Sequence, residues 1–274
     1  MQNVFMGGIH QNIRLRSGLS NMARLEITTH IGCPINCVDC PQELLRSQYK
    51  GNLMMDFEAY KAAIDKVPYY VRIDFSGMCE PFVNPHCADM ILYAAQAGHP
   101  LALYTTLQGA TEEDYEKLKN VKYEVTTIHI PDCDGRSTFK ITDEYLQLLA
   151  KWPCDNYSCH GRIDPRVEPY LQPDKFLITF MHDRAGNLDT QEHVRFDPHA
   201  TVTCVNCGTA LNHNVLLPDG TVLMCCMDYG MTERFGNLFT QSYNEVLSSE
   251  TAQVARAKMW KQDCLCKKCV NART

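Results

Sequence analysis

Residues 33–40 read Cys33-Pro34-Ile35-Asn36-Cys37-Val38-Asp39-Cys40, a C-x3-C-x2-C run. The run places three thiolates within eight residues, and no fourth cysteine follows at a matching spacing. A [4Fe–4S] cluster has four irons, and each needs a ligand. Three protein ligands leave one iron open to a group that is not protein, which suits chemistry at the cluster rather than electron storage alone. Structural zinc prefers C-x2-C pairs and a complete set of four ligands. A disulfide framework belongs to short secreted chains with even cysteine counts. With 274 residues and 15 cysteines, the chain fits neither pattern.

Outward from the run, short apolar stretches alternate with helical ones. Residues 23–29 (ARLEITT) predict a strand, and the cysteines follow its C-terminal end. A helix is expected over 56–67, a strand over 71–76, a helix over 85–97 and a strand over 101–106. Thr111 caps the next helix, with Asp114 as its capping-box partner. A strand over 123–130, a helix over 142–152 and strands over 155–163 and 176–182 complete the series. Strand–helix alternation of this kind means a parallel sheet. Six such units give an α/β fold, a partial (β/α)6 barrel of TIM type. Sites in barrels gather at the C-terminal ends of the strands. The cysteine run, Glu80, His129 and His182 all fall at or just past such ends.

The pattern changes after residue 185. Residues 186–200 are polar and irregular. Residues 214–218 and 221–226 then predict a hairpin around Pro218-Asp219-Gly220. One helix is expected over 242–258, before Cys264, Cys266 and Cys269. The chain therefore divides into an N-terminal extension (1–22), a barrel (23–185) and a small C-terminal unit (186–274).

Composition narrows the function. A hydrophobic share of 45% and a charged share of 21% are ordinary for a globular protein. A net charge of −6 gives no basic field for nucleic acid. The first residues do not form a secretory signal, and no apolar run reaches membrane-spanning length. A cytoplasmic location is expected, where thiols stay reduced and serve metals.

The C-x3-C-x2-C after the first strand resembles the signature of the radical S-adenosylmethionine (SAM) superfamily. The segment Gly77-Met78-Cys79-Glu80-Pro81, after the second strand, resembles the G-x-x-E-P segment of that family, in which the acidic residue contacts the SAM amino group. The resemblance implies Cys33, Cys37 and Cys40 as cluster ligands, with Gly77, Glu80, Pro81 and His129 toward SAM. It also implies that cleavage of SAM yields a 5′-deoxyadenosyl radical, with a flavodoxin or ferredoxin as electron donor. One departure is Val38, where the family usually has an aromatic residue.

The tail is similar to the SPASM/twitch extension of the same superfamily. The likeness rests on Cys207, the hairpin, Gly236-Asn237-Leu238, a helix, and Cys266-Lys267-Lys268-Cys269. It implies a second, auxiliary [4Fe–4S] cluster on Cys207, Cys225, Cys266 and Cys269. Cys204, Cys226 and Cys264 are neighbours that could displace members of that set. Arg184, in Asp183-Arg184-Ala185-Gly186-Asn187, resembles an arginine of the twitch-domain aminocyclitol dehydrogenases that approaches the substrate hydroxyl.

The function these features suggest is oxidation of a small polar substrate, a sugar or aminocyclitol, with the auxiliary cluster as electron acceptor. Arg184 or another base would help to remove the hydroxyl proton. Modification of a peptide side chain and a redox-neutral epimerase or lyase are the alternatives. For the epimerase, Cys79, Cys133 and Cys159 are candidate hydrogen donors. A non-enzymatic metal-binding module leaves Gly77–Pro81 unexplained.

Overall fold

The computed structural model describes residues 22–178, 183–189 and 196–274. Six parallel strands run side by side in chain order: β1 (Arg24–Ile27), β2 (Arg72–Phe75), β3 (Leu101–Thr105), β4 (Val125–His129), β5 (Asn156–Ser158) and β6 (Phe176–Ile178). Helices α1 (Gln42–Gln48) and α2 (Phe57–Ile64) link β1 to β2. Helices α3 (Cys87–Gln96), α4 (Glu112–Leu118) and α5 (Asp143–Lys151) make the next three crossovers. This is the expected partial barrel. The Thr111–Asp114 capping box is present, with both reciprocal bonds made.

Side chains alternate along each strand. On β1 and β2, Leu25, Ile27, Ile73 and Phe75 are fully buried and belong to the main apolar core. The opposite face carries Arg24, Glu26, Arg72 and Asp74. Strands buried on both faces would read as continuous apolar runs. These do not, because their inner face lines a polar interior.

Three expectations change in the structure. The strand over 155–163 shrinks to three residues, and the chain then turns through Gly161 to an isolated bridge between Ile163 and Asp132. Helix α1 was not foreseen; seven residues directly after the cysteine run are too few to show a period. The single helix expected over 242–258 is two, α6 (Tyr243–Leu247) and α7 (Glu250–Lys261). Ser242 and Ser249 each accept a hydrogen bond from a backbone N–H three residues on. The second cap restarts the helix, as serine favours caps over interiors. Of the strand over 176–182, the first three residues are described. His182 lies outside the described residues.

After the barrel come β7 (Thr203–Cys204), β8 (His213–Leu216), β9 (Thr221–Leu223), β10 (Arg234–Asn237) and β11 (Ala272–Arg273). The hairpin β8–β9 forms as expected, but β8 pairs in parallel with the free edge of β1, from Arg24↔His213 to Ile27↔Leu216. One nine-stranded sheet therefore runs β10-β9-β8-β1-β2-β3-β4-β5-β6. That sheet takes strands from both sides of residue 185. A second apolar cluster, with Ile31, Leu45, Met78, Val215 and Tyr229, packs the cysteine loop and α1 onto the hairpin. Among the described residues no helix is long and apolar enough to cross a membrane.

Inside the sheet, Asp74 takes both Nε (2.6 Å) and Nη2 (2.7 Å) of Arg72, and the two side chains are 2% and 4% exposed. Removing one partner of such a pair strands a buried charge. Arg72→Met should cost about 3 kcal/mol of stability by that rule. Chemical denaturation of the variant measures it, and a loss below about 1 kcal/mol would show that Asp74 needs no partner.

Candidate active site

The loop between β1 and α1 carries the three cysteines. Left-handed backbone at Gly32 (φ 102°) and Asn36 (φ 49°) folds it back over the strand end. Neighbouring segments hold it: Ile31 N–H donates to Leu53 O, Val38 N–H to Arg136 O, and Thr138 N–H to Ile35 O. Cys33, Cys37 and Cys40 all line one cavity of about 410 Å³. Burial, with the neighbouring Cys40 and Cys33, pushes the Cys37 thiol up to about 12. A hydrogen bond from Cys79 lowers Cys33 and raises Cys79. Cys40 Sγ lies 3.5 Å from Tyr229 Oη and accepts from Gln42 Nε2 at 3.4 Å. Among the described residues no three Cys, His, Asp or Glu side chains converge to hold a single metal ion. A cluster makes a different demand, since each thiolate meets a separate iron. Three soft thiols on one cavity wall fit that demand. Val38, where an aromatic was expected, is 52% exposed and does not line the cavity.

Gly77 touches the end of β1 directly. A Cβ there would lie 2.5 Å from Thr28 Oγ1 and 2.6 Å from the Ile27 carbonyl, and its φ is +49°. Only glycine lets the second loop approach so closely. Glu80 also lines the cavity, but its carboxylate is engaged by the chain. It accepts from Thr105 Oγ1 (2.7 Å), Phe82 N–H (3.1 Å), and both the N–H and the hydroxyl of Thr106. Burial nevertheless raises its pKa. The side chain thus ties the β2 loop to the end of β3. Pro81 does not line the cavity: it is buried in a 3-10 turn, its carbonyl taken by Thr29 Oγ1 at 2.8 Å.

Asp39, inside the cysteine run, joins three distant segments. Its carboxylate lies 2.7 Å from His160 Nδ1 and 3.2 Å from Arg136 Nη2, and its carbonyl accepts from Arg184 Nε at 3.0 Å. Arg184 and Ala185 both have left-handed backbone (φ 51° and 56°), and Arg184 is brought to the cavity wall. Burial opposes its charge, but Tyr229, Cys40 and Cys226 outweigh burial and raise its pKa. His129 closes the other wall. Its Nδ1 is 3.1 Å from Ser158 Oγ, its Nε2 is buried with no hydrogen-bond partner among the described residues, and its ring meets His160 edge-on at 4.4 Å. Burial, then the neighbouring His160, lowers its pKa to about 3. Of the thiols considered as hydrogen donors, Cys79 lines the cavity. Cys159 is buried away from it and Cys133 is exposed.

A further set of cavity-lining residues is not singled out by the sequence. Arg24, Glu26, Asp74, Ser76, Tyr104 and His213 line the cavity. Glu26 Oε1 lies 2.8 Å from His213 Nε2, and its Oε2 accepts from Ser76 Oγ at 2.9 Å. Burial opposes both charges, but each partner stabilises the other, so Glu26 is lowered and His213 raised. The signal was the charge at every second residue of β1 and β2, which a strand packed on both faces would not carry.

In the tail, Cys204 and Cys207 sit in a turn closed by reciprocal backbone bonds between Cys204 and Gly208. The pairing of β7 with β11 brings in the chain end, where a 3-10 turn (Leu265–Lys268) holds Cys266 and ends at Cys269. Cys207, Cys225, Cys266 and Cys269 come together here: a hydrogen bond to Cys204 or Cys264 and burial raise Cys207 and Cys266, and the nearby Cys225 raises both further. Cys204 and Cys264 stay alongside, each lowered by a hydrogen bond to its neighbour, Cys207 or Cys266. These thiols fit a closed cluster site, in which all four irons have protein ligands. Cys226 leaves the group: it lines the barrel cavity, within reach of Glu26 and Arg184.

An iron–sulfur cluster-binding domain model, SPASM, matches residues 207–270. Among solved structures, BtrN in complex with AdoMet and 2-DOIA superposes with a TM-score of 0.64 at 16% identity, over 91% of this chain and 93% of BtrN. The anSMEcpe protein with bound AdoMet gives 0.56 at 16% identity, over 90% of this chain and 83% of that one. SuiB of Streptococcus suis, bound to the precursor peptide SuiA, gives 0.56 at 13% identity, over 87% and 67%. No curated protein sequence matches the chain.

The depressed pKa of His129 has a consequence for stability. Between about 3 and the ordinary 6.5 the unfolded chain binds a proton there that the folded chain does not. Folding should therefore weaken as pH falls below 6.5, by about 2 kcal/mol at pH 5 from this residue. In thermal melts at pH 7 and pH 5, His129→Gln should lose less Tm on acidification than the wild type. An equal loss in both would show that His129 is not held neutral.

Proposed function

We propose that this chain, which has the radical SAM fold with a C-terminal SPASM iron–sulfur domain, is a radical SAM oxidoreductase that oxidises a small polar substrate. One observation carries the reading: Cys33, Cys37 and Cys40 open onto the same cavity as the charged interior of the barrel. Cys33, Cys37 and Cys40 would hold the first cluster, and Cys207, Cys225, Cys266 and Cys269 the auxiliary one. When bound, these groups and SAM supply a 5′-deoxyadenosyl radical for hydrogen abstraction and a one-electron acceptor. Gly77 and Glu80 are assigned to SAM, beside the thiols. Pro81 fixes the turn that places them.

The chain's own residues position the substrate. Arg184 keeps its proton, so it serves as a donor to a substrate oxygen and not as the base. Glu26 is held ionised by His213 and is the residue suited to receive the proton of a carbinol. Proton acceptance of this kind contributes about 10²–10⁴ in rate. His129, neutral with one ring nitrogen unpartnered, suits a hydroxyl of SAM or substrate. The polar lining and the likeness to BtrN, solved with 2-DOIA, support a small molecule. SuiB, solved with a peptide, represents the competing substrate class. The reducing electron is assigned to a flavodoxin- or ferredoxin-type donor.

With SAM and a strong reductant, Cys37→Ala should release no 5′-deoxyadenosine. Cys266→Ala should still release it while net substrate oxidation stops. Release by Cys37→Ala would overturn the first assignment, and undiminished oxidation by Cys266→Ala the second.

A redox-neutral epimerisation is favoured by one observation, the thiol of Cys226 in the cavity. Burial keeps it protonated. It could return a hydrogen atom to the substrate carbon, the thiyl then taking one electron and one proton from the external donor and solvent. Reaction in D2O separates the two. Product two mass units lighter than substrate supports oxidation, and product carrying one deuterium at carbon supports epimerisation.

A further inference from the structure

Among the described residues, most charged groups lining the barrel interior have partners, and Arg24 stands apart. Glu26 is paired with His213 and Ser76. Asp74 takes two donors of Arg72. The Glu80 carboxylate accepts four hydrogen bonds. Arg184 is tied to the Asp39 carbonyl. Arg24, the first residue of β1, lines the same cavity, and its side chain makes no hydrogen bond or ion pair with any described residue. Its Nε is buried with no hydrogen-bond partner among the described residues.

A buried donor left unpaired costs free energy, and more so on a charged group. The guanidinium presents its donors as a planar fork that matches a carboxylate or a phosphate. We propose that the substrate bears such an anionic group, docked on Arg24, so that the substrate class is an anionic sugar or polyol and not an amine. The inference rests on reading the barrel interior as the substrate cavity. An ammonium substituent would find Glu26 and Asp74 already engaged and would lie near the Arg24 cation. The geometry also sets a scale. Arg24 and Glu26 are two residues apart on one face of β1, so their Cα atoms are about 6.6 Å apart. An anion on Arg24 therefore brings the next few carbons past Glu26 and Ser76, toward the cysteine loop. The hydroxyls of Ser76, Tyr104 and Thr127 along this path suit a polyol better than a peptide.

Isothermal titration of the reconstituted full chain tests this, with glucuronate, glucose 1-phosphate, glucosamine and a tetra-aspartate peptide as probes. At least one of the two anionic sugars should bind about tenfold or more tighter than glucosamine, the worth of a charge-assisted hydrogen bond. Which of them binds distinguishes carboxylate from phosphate. In Arg24→Gln that preference should vanish. If Arg24→Gln does not fold, Arg24→Lys, which keeps the charge and loses the fork, should weaken the favoured anion while preserving the order of preference. Failure of both anionic sugars to bind, tighter binding of glucosamine or the peptide, or affinities unchanged in the variants would overturn the proposal. Release of 5′-deoxyadenosine without an anion preference would remove this inference and leave the proposed reaction standing. An anion preference without SAM cleavage would do the reverse.

Discussion

The parallel pairing of β1 with β8 is the contact on which the rest of the site depends. Strand β1 is hydrogen-bonded on both edges, to β2 and to the C-terminal hairpin. Its C-terminal end launches the cysteine loop, and its inner face supplies Arg24 and Glu26. Through β8 it brings His213 beside Glu26, and through the turn after β9 it brings Cys226 and Tyr229 to the cavity. The C-terminal unit is therefore part of the cavity wall as well as the holder of a second group of thiols. Cys225 and Cys226 sit where the two meet. The chain turns here, with Asp228 N–H donating to Cys225 O, and one thiol joins the tail cysteines while the other faces the barrel.

Around that frame the polar groups form closed local networks. Asp39 gathers His160, Arg136 and Arg184 behind the cysteine loop. Glu80 binds the β2 loop to the end of β3. Such groups hold a site rigid when every member is satisfied. Among the buried polar atoms left without a hydrogen bond by the described residues, Arg24 Nε and His129 Nε2 lie on the cavity wall, where a ligand can complete them. Rigid supports with unmet donors at the surface of a cavity are what a preorganised binding site requires.

Several elements were legible in the sequence because their causes are local. The capping box at Thr111 and Asp114 involves residues three apart, and the Pro218-Asp219-Gly220 turn needs only its own backbone preferences. The strand–helix alternation follows from side-chain periodicity. Where competition between local signals decided the outcome, reading failed. Ser249 broke a helix that the apolar pattern carried through, because its hydroxyl caps the next turn. Arg24, Glu26 and Asp74 were passed over because charges in a strand read as solvent-facing until the strand is known to sit in a barrel.

The sequence alone determined the spacing of the thiols and the order of the parallel strands, since both depend on spacing along the chain: three cysteines within eight residues, and apolar periods of two and then of about three and a half. Tertiary structure alone decided which groups meet. Nothing in the spacing of Glu26 and His213, 187 residues apart by the numbering, predicts an ion pair; the register of β1 on β8 makes it. The same register sets Arg24 opposite His213, because the partner of a charge is set by the fold that surrounds it and not by the chain that carries it.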